Sequence, residues 1–206
     1  MLKRFEGLAS VYEPDNVKRT GWSSRSTQIA RFSVLAKIGS LKGKSILDVG
    51  CGIGDFYKYL LERKFQGKYI GYDLVAANCS AASEKYGSGL FFQRDILDIT
   101  DEQQFDYVLA SGIFYLPADD WNDAVSITLK RMFELCKIGI AANFLSIYSP
   151  NKIPDLFYVH PATIINICSN FTNVFRIHHD YALKRNDFTL FAYREISSYV
   201  NSLISE

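Results

Sequence analysis

Ser45–Gly54 reads S-I-L-D-V-G-C-G-I-G, an apolar strand that runs into glycines at 50, 52 and 54 and then into a helix. Small residues let a ligand approach the backbone, and the N–H groups that open a helix are free to donate. The crevice at the C-terminal edge of a parallel sheet is where such a junction holds a nucleotide-like cofactor. The dehydrogenase pattern G-x-G-x-x-G would put its last glycine at position 55, but that residue is Asp55, whose charge would face a pyrophosphate unfavourably. A nicotinamide enzyme is therefore the weaker reading of this loop.

Outward from the loop, strands and helices alternate. Ser45–Val49, Lys68–Asp73, Leu90–Arg94, Phe105–Ala110 and Ile138–Leu145 read as strands, with helices at about Asp55–Lys64, Val75–Tyr86 and Asp119–Cys136 between them. That order implies right-handed crossovers and a mostly parallel sheet with helices on both faces. Pro161–Cys168 reads as a further helix, with Pro161 suited to its first turn. Asn173–Tyr181 and Asp187–Arg194 read as an antiparallel hairpin that ends the sheet. The expected fold is thus α/β, a Rossmann-like three-layer sandwich around a mostly parallel seven-stranded sheet with an antiparallel C-terminal hairpin. Ahead of it, Ser26–Ile38 predicts a helix with Ile29, Phe32, Leu35 and Ile38 on one side and Gly39 as its stop. Residues 1–40 are expected to form a helical cap and residues 41–206 the cofactor-binding domain.

Length and composition are those of one globular domain: 206 residues, 48% apolar, with 23 basic and 22 acidic side chains and no long run of either sign. The charge balance gives no strong nucleic-acid signal, although a local patch remains compatible with it. Thirteen tyrosines and fifteen phenylalanines exceed the needs of an ordinary core, so aromatic rings serve either a pocket or packing. Cys51, Cys79, Cys136 and Cys168 lie far apart in sequence with no metal-ligand spacing, which reads as intracellular thiols and no metal site. Residues 1–7 alternate charged and apolar side chains without a secretory core, and no window reaches membrane-spanning length. A soluble cytoplasmic protein, monomer or homodimer, with no membrane partner is the expectation.

Two acids follow the loop. Asp73 ends the second strand in Y-I-G-Y-D-L, nineteen residues after Gly54, where a carboxylate accepts both hydroxyls of a ribose or caps the next helix, with Leu74 beside it. Asp95 ends the third in F-F-Q-R-D-I-L, where it accepts from an exocyclic adenine amine or shapes a turn, with Ile96 offering the ring an apolar surface.

With these pieces in order and at their spacing, the chain resembles the class I S-adenosylmethionine-dependent methyltransferases. The resemblance rests on Ile46–Gly54 (I-L-D-V-G-C-G-I-G), Tyr69–Asp73 (Y-I-G-Y-D), Arg94–Ile96 (R-D-I) and Phe105–Ser111 (F-D-Y-V-L-A-S), and covers nearly the whole chain. It implies S-adenosyl-L-methionine as cofactor, held at its methionine end by Asp48 and the backbone at Gly50 and Gly52. Asp73 would serve the ribose, Asp95 and Ile96 the adenine, Ser111 and Gly112 would line the floor near the sulfonium, and Gly54 and Leu74 are further cofactor-binding candidates. The segment G-W-S-S-R-S-T-Q-I-A-R-F looks like one that recurs in small bacterial members, where the N-terminal helix closes the pocket. After the fourth strand the chain reads S-G-I-F-Y-L rather than the N/D-P-P-Y/F of enzymes that methylate adenine or glutamine amides, which argues against those substrates.

Several polar and aromatic residues are candidates beyond the cradle. Arg25, Gln28 and Arg31 recur three apart on the first helix and would reach the cofactor carboxylate or an acidic substrate, or form a solvated face. Tyr12 and Trp22 precede that helix as a lid or a packing contact. His160, in Y-V-H-P, is the candidate general base because imidazole titrates near neutrality, with capping as the alternative. Tyr115 is a second catalytic candidate, and Asn143 and His178 are candidate acceptor contacts. Methyl transfer to an oxygen or nitrogen of a small metabolite is the leading reading. A tRNA or protein methyltransferase, and a non-catalytic cofactor-binding interaction protein, remain as alternatives.

Overall fold

The computed structural model describes residues 2–11, 24–98, 100, 103–181 and 186–204. Seven strands form one sheet: β1 (Ser45–Val49), β2 (Lys68–Asp73), β3 (Phe91–Gln93), β4 (Phe105–Ala110), β5 (Cys136–Leu145), β6 (Phe175–His178) and β7 (Asp187–Tyr193), in the order β3-β2-β1-β4-β5-β7-β6. The first five are parallel. β7 runs antiparallel between β5 and β6, so the terminal hairpin inserts its second strand into the sheet and leaves its first at the edge. The expected architecture is the observed one.

Side-chain alternation divides the core into two layers. Leu47 and Val49 of β1, with Val108 and Ala110 of β4, pack beneath α5 (Trp121–Leu135) and α6 (Pro161–Cys168). Ile46, Tyr69, Tyr107 and Leu109 face the opposite layer, built from α2 (Arg25–Leu35), α3 (Asp55–Glu62) and α4 (Ala76–Tyr86). The chain winds from β1 to β3 in one direction and from β4 to β5 in the other, so a crevice opens between β1 and β4 where the winding reverses.

Two helices were not expected from the sequence. α1 (Leu2–Val11) lies against α4, and α7 (Ile196–Ile204) returns to the sheet, where Ser202 meets the Tyr193 hydroxyl at 3.1 Å. Other boundaries moved slightly. α5 ends at Leu135 and β5 starts at Cys136 without a loop, while β3 is shorter than predicted because only Phe91–Gln93 pair with β2. α2 starts one residue earlier, at Arg25, because the Ser24 hydroxyl accepts from Thr27 N. The 3₁₀ turn Ala36–Ile38 extends α2 and stops at Gly39, where a Cβ would sit 2.6 Å from the Tyr107 hydroxyl.

A buried ion pair fixes α2 on the sheet. Arg31 Nε donates to Asp187 Oδ2 at 2.6 Å, with side chains only 2% and 0% exposed. The guanidinium also lies 5.0 Å from the Tyr115 ring centre. Such a pair adds modest stability as a unit, but removing one partner leaves the other charge buried alone. Arg31→Ala or Asp187→Ala should therefore cost about 3–5 kcal/mol in urea unfolding. Replacing both with apolar residues of matching volume should cost clearly less than either single change, and equal costs would remove the pair as the organising contact.

Candidate functional site

The glycine loop is a tight turn bound to β2. Gly50, Gly52 and Gly54 have φ of 75°, 55° and 79°, a left-handed backbone that favours glycine. Gly50 N and Cys51 N both donate to Tyr72 O, at 2.8 and 3.0 Å, and Gly54 N donates to Cys51 O at 3.1 Å. Gly52 N donates to Asp73 Oδ2 at 2.8 Å. The loop therefore differs from its sequence expectation in one respect: these four donors are already engaged. What it offers a ligand is close backbone approach, and a pyrophosphate would find few N–H groups to receive it.

Asp73 sits at the C-terminal end of β2, with Val75 N donating to its Oδ1 at 2.8 Å. The Asn78 side chain is a further partner. Burial raises its pKa, against the pull of the Val75, Gly52 and Asn78 hydrogen bonds. With three donors already on it, the carboxylate keeps about one of its roughly four lone-pair positions for a ligand. Asp95 holds a turn by accepting from Leu97 N at 2.9 Å, beside buried Ile96.

Asp48 is fully buried at the end of β1. Its Oδ2 accepts from the Tyr69 hydroxyl at 2.6 Å. Burial pushes its pKa up to about 7, opposed by the Tyr69 hydrogen bond and assisted by the negative charges of Asp73 and Asp55. Asp55, in the first turn of α3, receives Arg25 Nη1 on Oδ1 and Gln28 Nε2 on Oδ2, both at 2.8 Å. Its charge is thus balanced from α2.

These residues line one cleft of about 240 Å³ between β1, β2 and β4. Of the expected residues, Gln28, Asp48, Gly50, Gly52, Asp73, Leu74, Asp95, Ile96, Ser111 and Gly112 come together there. Gly54 stands just behind as the N-cap of α3, where a Cβ would meet the rings of Tyr86 and Phe91 at 2.8 and 3.0 Å. Arg25 does not line the cleft and reaches it through Asp55 and through Gln28, whose Oε1 accepts from Arg25 Nη1 at 2.9 Å. Arg31 is committed to Asp187 and does not line it. Tyr12 and Trp22 lie outside the described residues.

Behind the floor, Asn143 Oδ1 accepts from Gly112 N and the Tyr115 hydroxyl, both at 3.1 Å, while Asn143 Nδ2 donates to Ser111 Oγ at 3.3 Å. Asn143 and Tyr115 therefore shape the floor from below. His160 is the N-cap of α6 and lies outside the cleft lining: Ala162 N donates to its Nδ1 at 3.0 Å. The neutral ring then carries its proton on Nε2, 2.6 Å from the Tyr148 hydroxyl, so its one lone pair is already engaged. His178 Nε2 lies 2.6 Å from Asp180 Oδ1, also away from the cleft.

Sequence reasoning missed Phe32, Asn78, Phe114, Trp121, Val125 and Thr128 in the lining. Asn78 had a readable signal, a side-chain amide in the turn after Asp73. Phe32, Phe114, Trp121 and Val125 belong to apolar runs that read as packing, and Thr128 carried no signal.

Comparison with known proteins places the chain in a family. A family model described as a methyltransferase domain matches residues 46–137. The chain is 30% identical over 146 residues to "Putative methyltransferase Rv1506c" of Mycobacterium tuberculosis, covering 68% of this chain and 87% of that protein. The chain belongs to the class I S-adenosylmethionine-dependent methyltransferase family. Among solved structures, this methyltransferase fold matches the N-methyltransferase NodS of Bradyrhizobium japonicum WM9, in complex with S-adenosyl-L-homocysteine, with a TM-score of 0.67 at 14% identity over 93% of this chain and 98% of that one. It also matches the magnesium protoporphyrin IX methyltransferase of Synechocystis PCC 6803, with a TM-score of 0.66 at 16% identity over 94% of both chains. Among the described residues of the methyltransferase, no helix is long and apolar enough to cross a membrane.

The raised pKa of Asp48 makes a prediction for the unliganded enzyme. Between about pH 4 and 7 the folded protein holds a proton that the unfolded chain has released, so Asp48 lowers stability as pH rises through that window. Asp48→Asn keeps an acceptor for Tyr69 and removes the charge. Its stability relative to wild type should rise from pH 4 to 7 by on the order of 3 kcal/mol and then level off. Parallel urea midpoints across pH would show that Asp48 ionises normally in the fold.

Proposed function

We propose that this chain transfers a methyl group from S-adenosyl-L-methionine to an oxygen or nitrogen of a small metabolite. The residues fit the cofactor. Asp73, anchored by Gly52 N, Val75 N and the Asn78 side chain, has an acceptor position left for a ribose hydroxyl. Ile96 supplies an apolar surface and Asp95 an acceptor for adenine, and Asp48 and the engaged glycine loop suit an ammonium group better than a phosphate. When bound, the cofactor supplies an activated methyl on a sulfonium and needs no metal to do so.

The protein's contribution is alignment and exclusion of water. Asn143 holds Gly112 and Ser111 as a fixed floor, and the Gln28 and Phe32 side chains of α2 form a wall of the cleft. The small-metabolite reading rests on one observation: the polar groups at this end of the sheet point inward. Gln28, in the wall of the cleft, and Asn143, behind its floor, are both buried. An acceptor recognised by such groups must enter the protein, whereas a tRNA or a protein would be met by an open charged face.

Incubation of the enzyme with methyl-labelled cofactor and a fractionated cell extract tests this reading. Label should appear in the low-molecular-weight fraction, and label confined to tRNA or protein would overturn it. For the cofactor half, Asp73→Ala should weaken S-adenosyl-L-methionine binding by about 1–3 kcal/mol in calorimetry. Unchanged affinity in a folded variant would remove Asp73 from the site.

A further inference from the structure

The acids that line the cleft, Asp48, Asp55, Asp73 and Asp95, suit the two cations of S-adenosyl-L-methionine and leave its carboxylate without a partner. Asp95 follows β3, Asp73 ends β2 and Asp48 lies in β1, and those strands are neighbours in the sheet. With the cofactor placed as in the proposed function, adenine, ribose and amino-acid tail are laid out in that order, and the tail points to the wall where α2 meets α3. The Phe32 and Phe56 rings pack there with centres 5.1 Å apart, and both line the cleft. Among the described residues, the only cationic side chain in the lining is Arg94, which donates to the Tyr72 hydroxyl at 3.5 Å and precedes Asp95. It stands at the adenine end, away from the tail.

At the tail end three side chains close a ring of hydrogen bonds. Arg25 Nη1 donates to Gln28 Oε1 at 2.9 Å and to Asp55 Oδ1 at 2.8 Å, and Gln28 Nε2 donates to Asp55 Oδ2 at 2.8 Å. A guanidinium only donates and a carboxylate only accepts, so the ring fixes which way the Gln28 amide faces. Its oxygen is turned to Arg25, and its nitrogen keeps one hydrogen beyond the bond to Asp55. Gln28 is buried and lines the cleft, whereas the Arg25 side chain is 35% exposed and does not line it. Asp55 lines the cleft as well, and Arg25 balances its charge.

We propose that Arg25 and Gln28 form a relay for the α-carboxylate of the cofactor: Gln28 binds it with its second amide hydrogen, and Arg25, one step behind, strengthens that donor. A cation on the amide oxygen draws electron density through the conjugated O–C–N group and leaves the nitrogen's hydrogens more positive. The bond to the carboxylate is charge-assisted on the acceptor side. Gln28 is thus the binding residue, and Arg25 is a positioning residue that does not touch the ligand. An amide suits this wall because it donates to Asp55 and to the ligand at once and adds no further charge to be balanced in a buried place. A sulfonium ligand without the carboxylate still meets the acids but leaves the Gln28 hydrogen unpaired, so the relay makes the cleft selective for the complete amino-acid tail.

The inference rests on S-adenosyl-L-methionine occupying this cleft, and the choice of ligands separates the two ideas. Calorimetry compares S-adenosyl-L-methionine, its decarboxylated form, and 5′-methylthioadenosine, which lacks the whole amino-acid end. Wild-type protein that binds none of the three rejects the cofactor site and the relay together. Otherwise the readout is the affinity for S-adenosyl-L-methionine divided by that for the decarboxylated form. Gln28→Met keeps the length of the side chain and removes the donor, and should lower that ratio about tenfold. Arg25→Ala, at a partly exposed position that keeps the test open if the buried variant fails to fold, should lower it by a smaller factor, roughly threefold. 5′-Methylthioadenosine should bind both variants as it binds wild type. A Gln28→Met protein that loses affinity for all three ligands alike, or a ratio that stays at the wild-type value in either variant, overturns the proposal.

Discussion

The Asp73 carboxylate is the contact on which the cleft depends. Its two oxygens receive Gly52 N from the glycine loop and Val75 N from the entry to α4. One side chain at the end of β2 thus sets the loop that leaves β1 and the helix that follows β2. A left-handed Gly52 would be poorly determined by turn geometry alone; the acid fixes it by a charge-assisted hydrogen bond, among the stronger kinds available to a backbone donor. In the proposed function, ligand recognition and loop conformation share this group, so the loop's hydrogen bonds are in place without a ligand.

The same economy appears on the wall from α2. Asp55 replaces the third glycine of the dinucleotide pattern and would repel an anion, yet Arg25 and Gln28 take both of its oxygens. One helical turn further, Arg31 reaches Asp187 at the start of β7. Successive turns of α2 therefore bind the helix after β1 and the strand from the C-terminal hairpin. The wall beside the cleft is held by polar contacts at one end and by Phe32, Leu35 and Ile38 in the core at the other.

Most of the sheet was legible because its strands alternate with helices of different period and end at acids or glycines. Asp73 and Asp95 were readable for the same reason: each is a polar side chain where a strand ends, whereas Asp48, buried within β1, was indicated only by the family resemblance. Positions that depend on packing angle were not. Arg25, Gln28 and Arg31 looked equivalent on a helical projection, but only Gln28 lines the cleft, because Arg25 is turned to Asp55 and Arg31 to Asp187. His160 shows the limit of chemical type: an imidazole next to a proline at a helix start is as good a cap as a base, and the hydrogen bond from Ala162 N defines the cap. α7 was missed because I-S-S-Y-V-N-S-L-I mixes β-branched and small polar residues of weak helix propensity, and its contacts with Tyr193 are tertiary.

Four carboxylates around one cleft, Asp48, Asp55, Asp73 and Asp95, set its electrostatic character. Asp73 and Asp55 both push the pKa of Asp48 upward, so the unliganded site carries like-charge repulsion that Arg25, Arg94 and the hydrogen bonds moderate. A ligand with positive charge relieves it, and an anionic one adds to it. That asymmetry excludes a pyrophosphate on physical grounds and matches a cofactor that carries both an ammonium and a sulfonium. It also separates substrate from product, because methyl transfer leaves the sulfur neutral while the acids remain, so the protein should hold the spent cofactor with less electrostatic gain than the methyl donor.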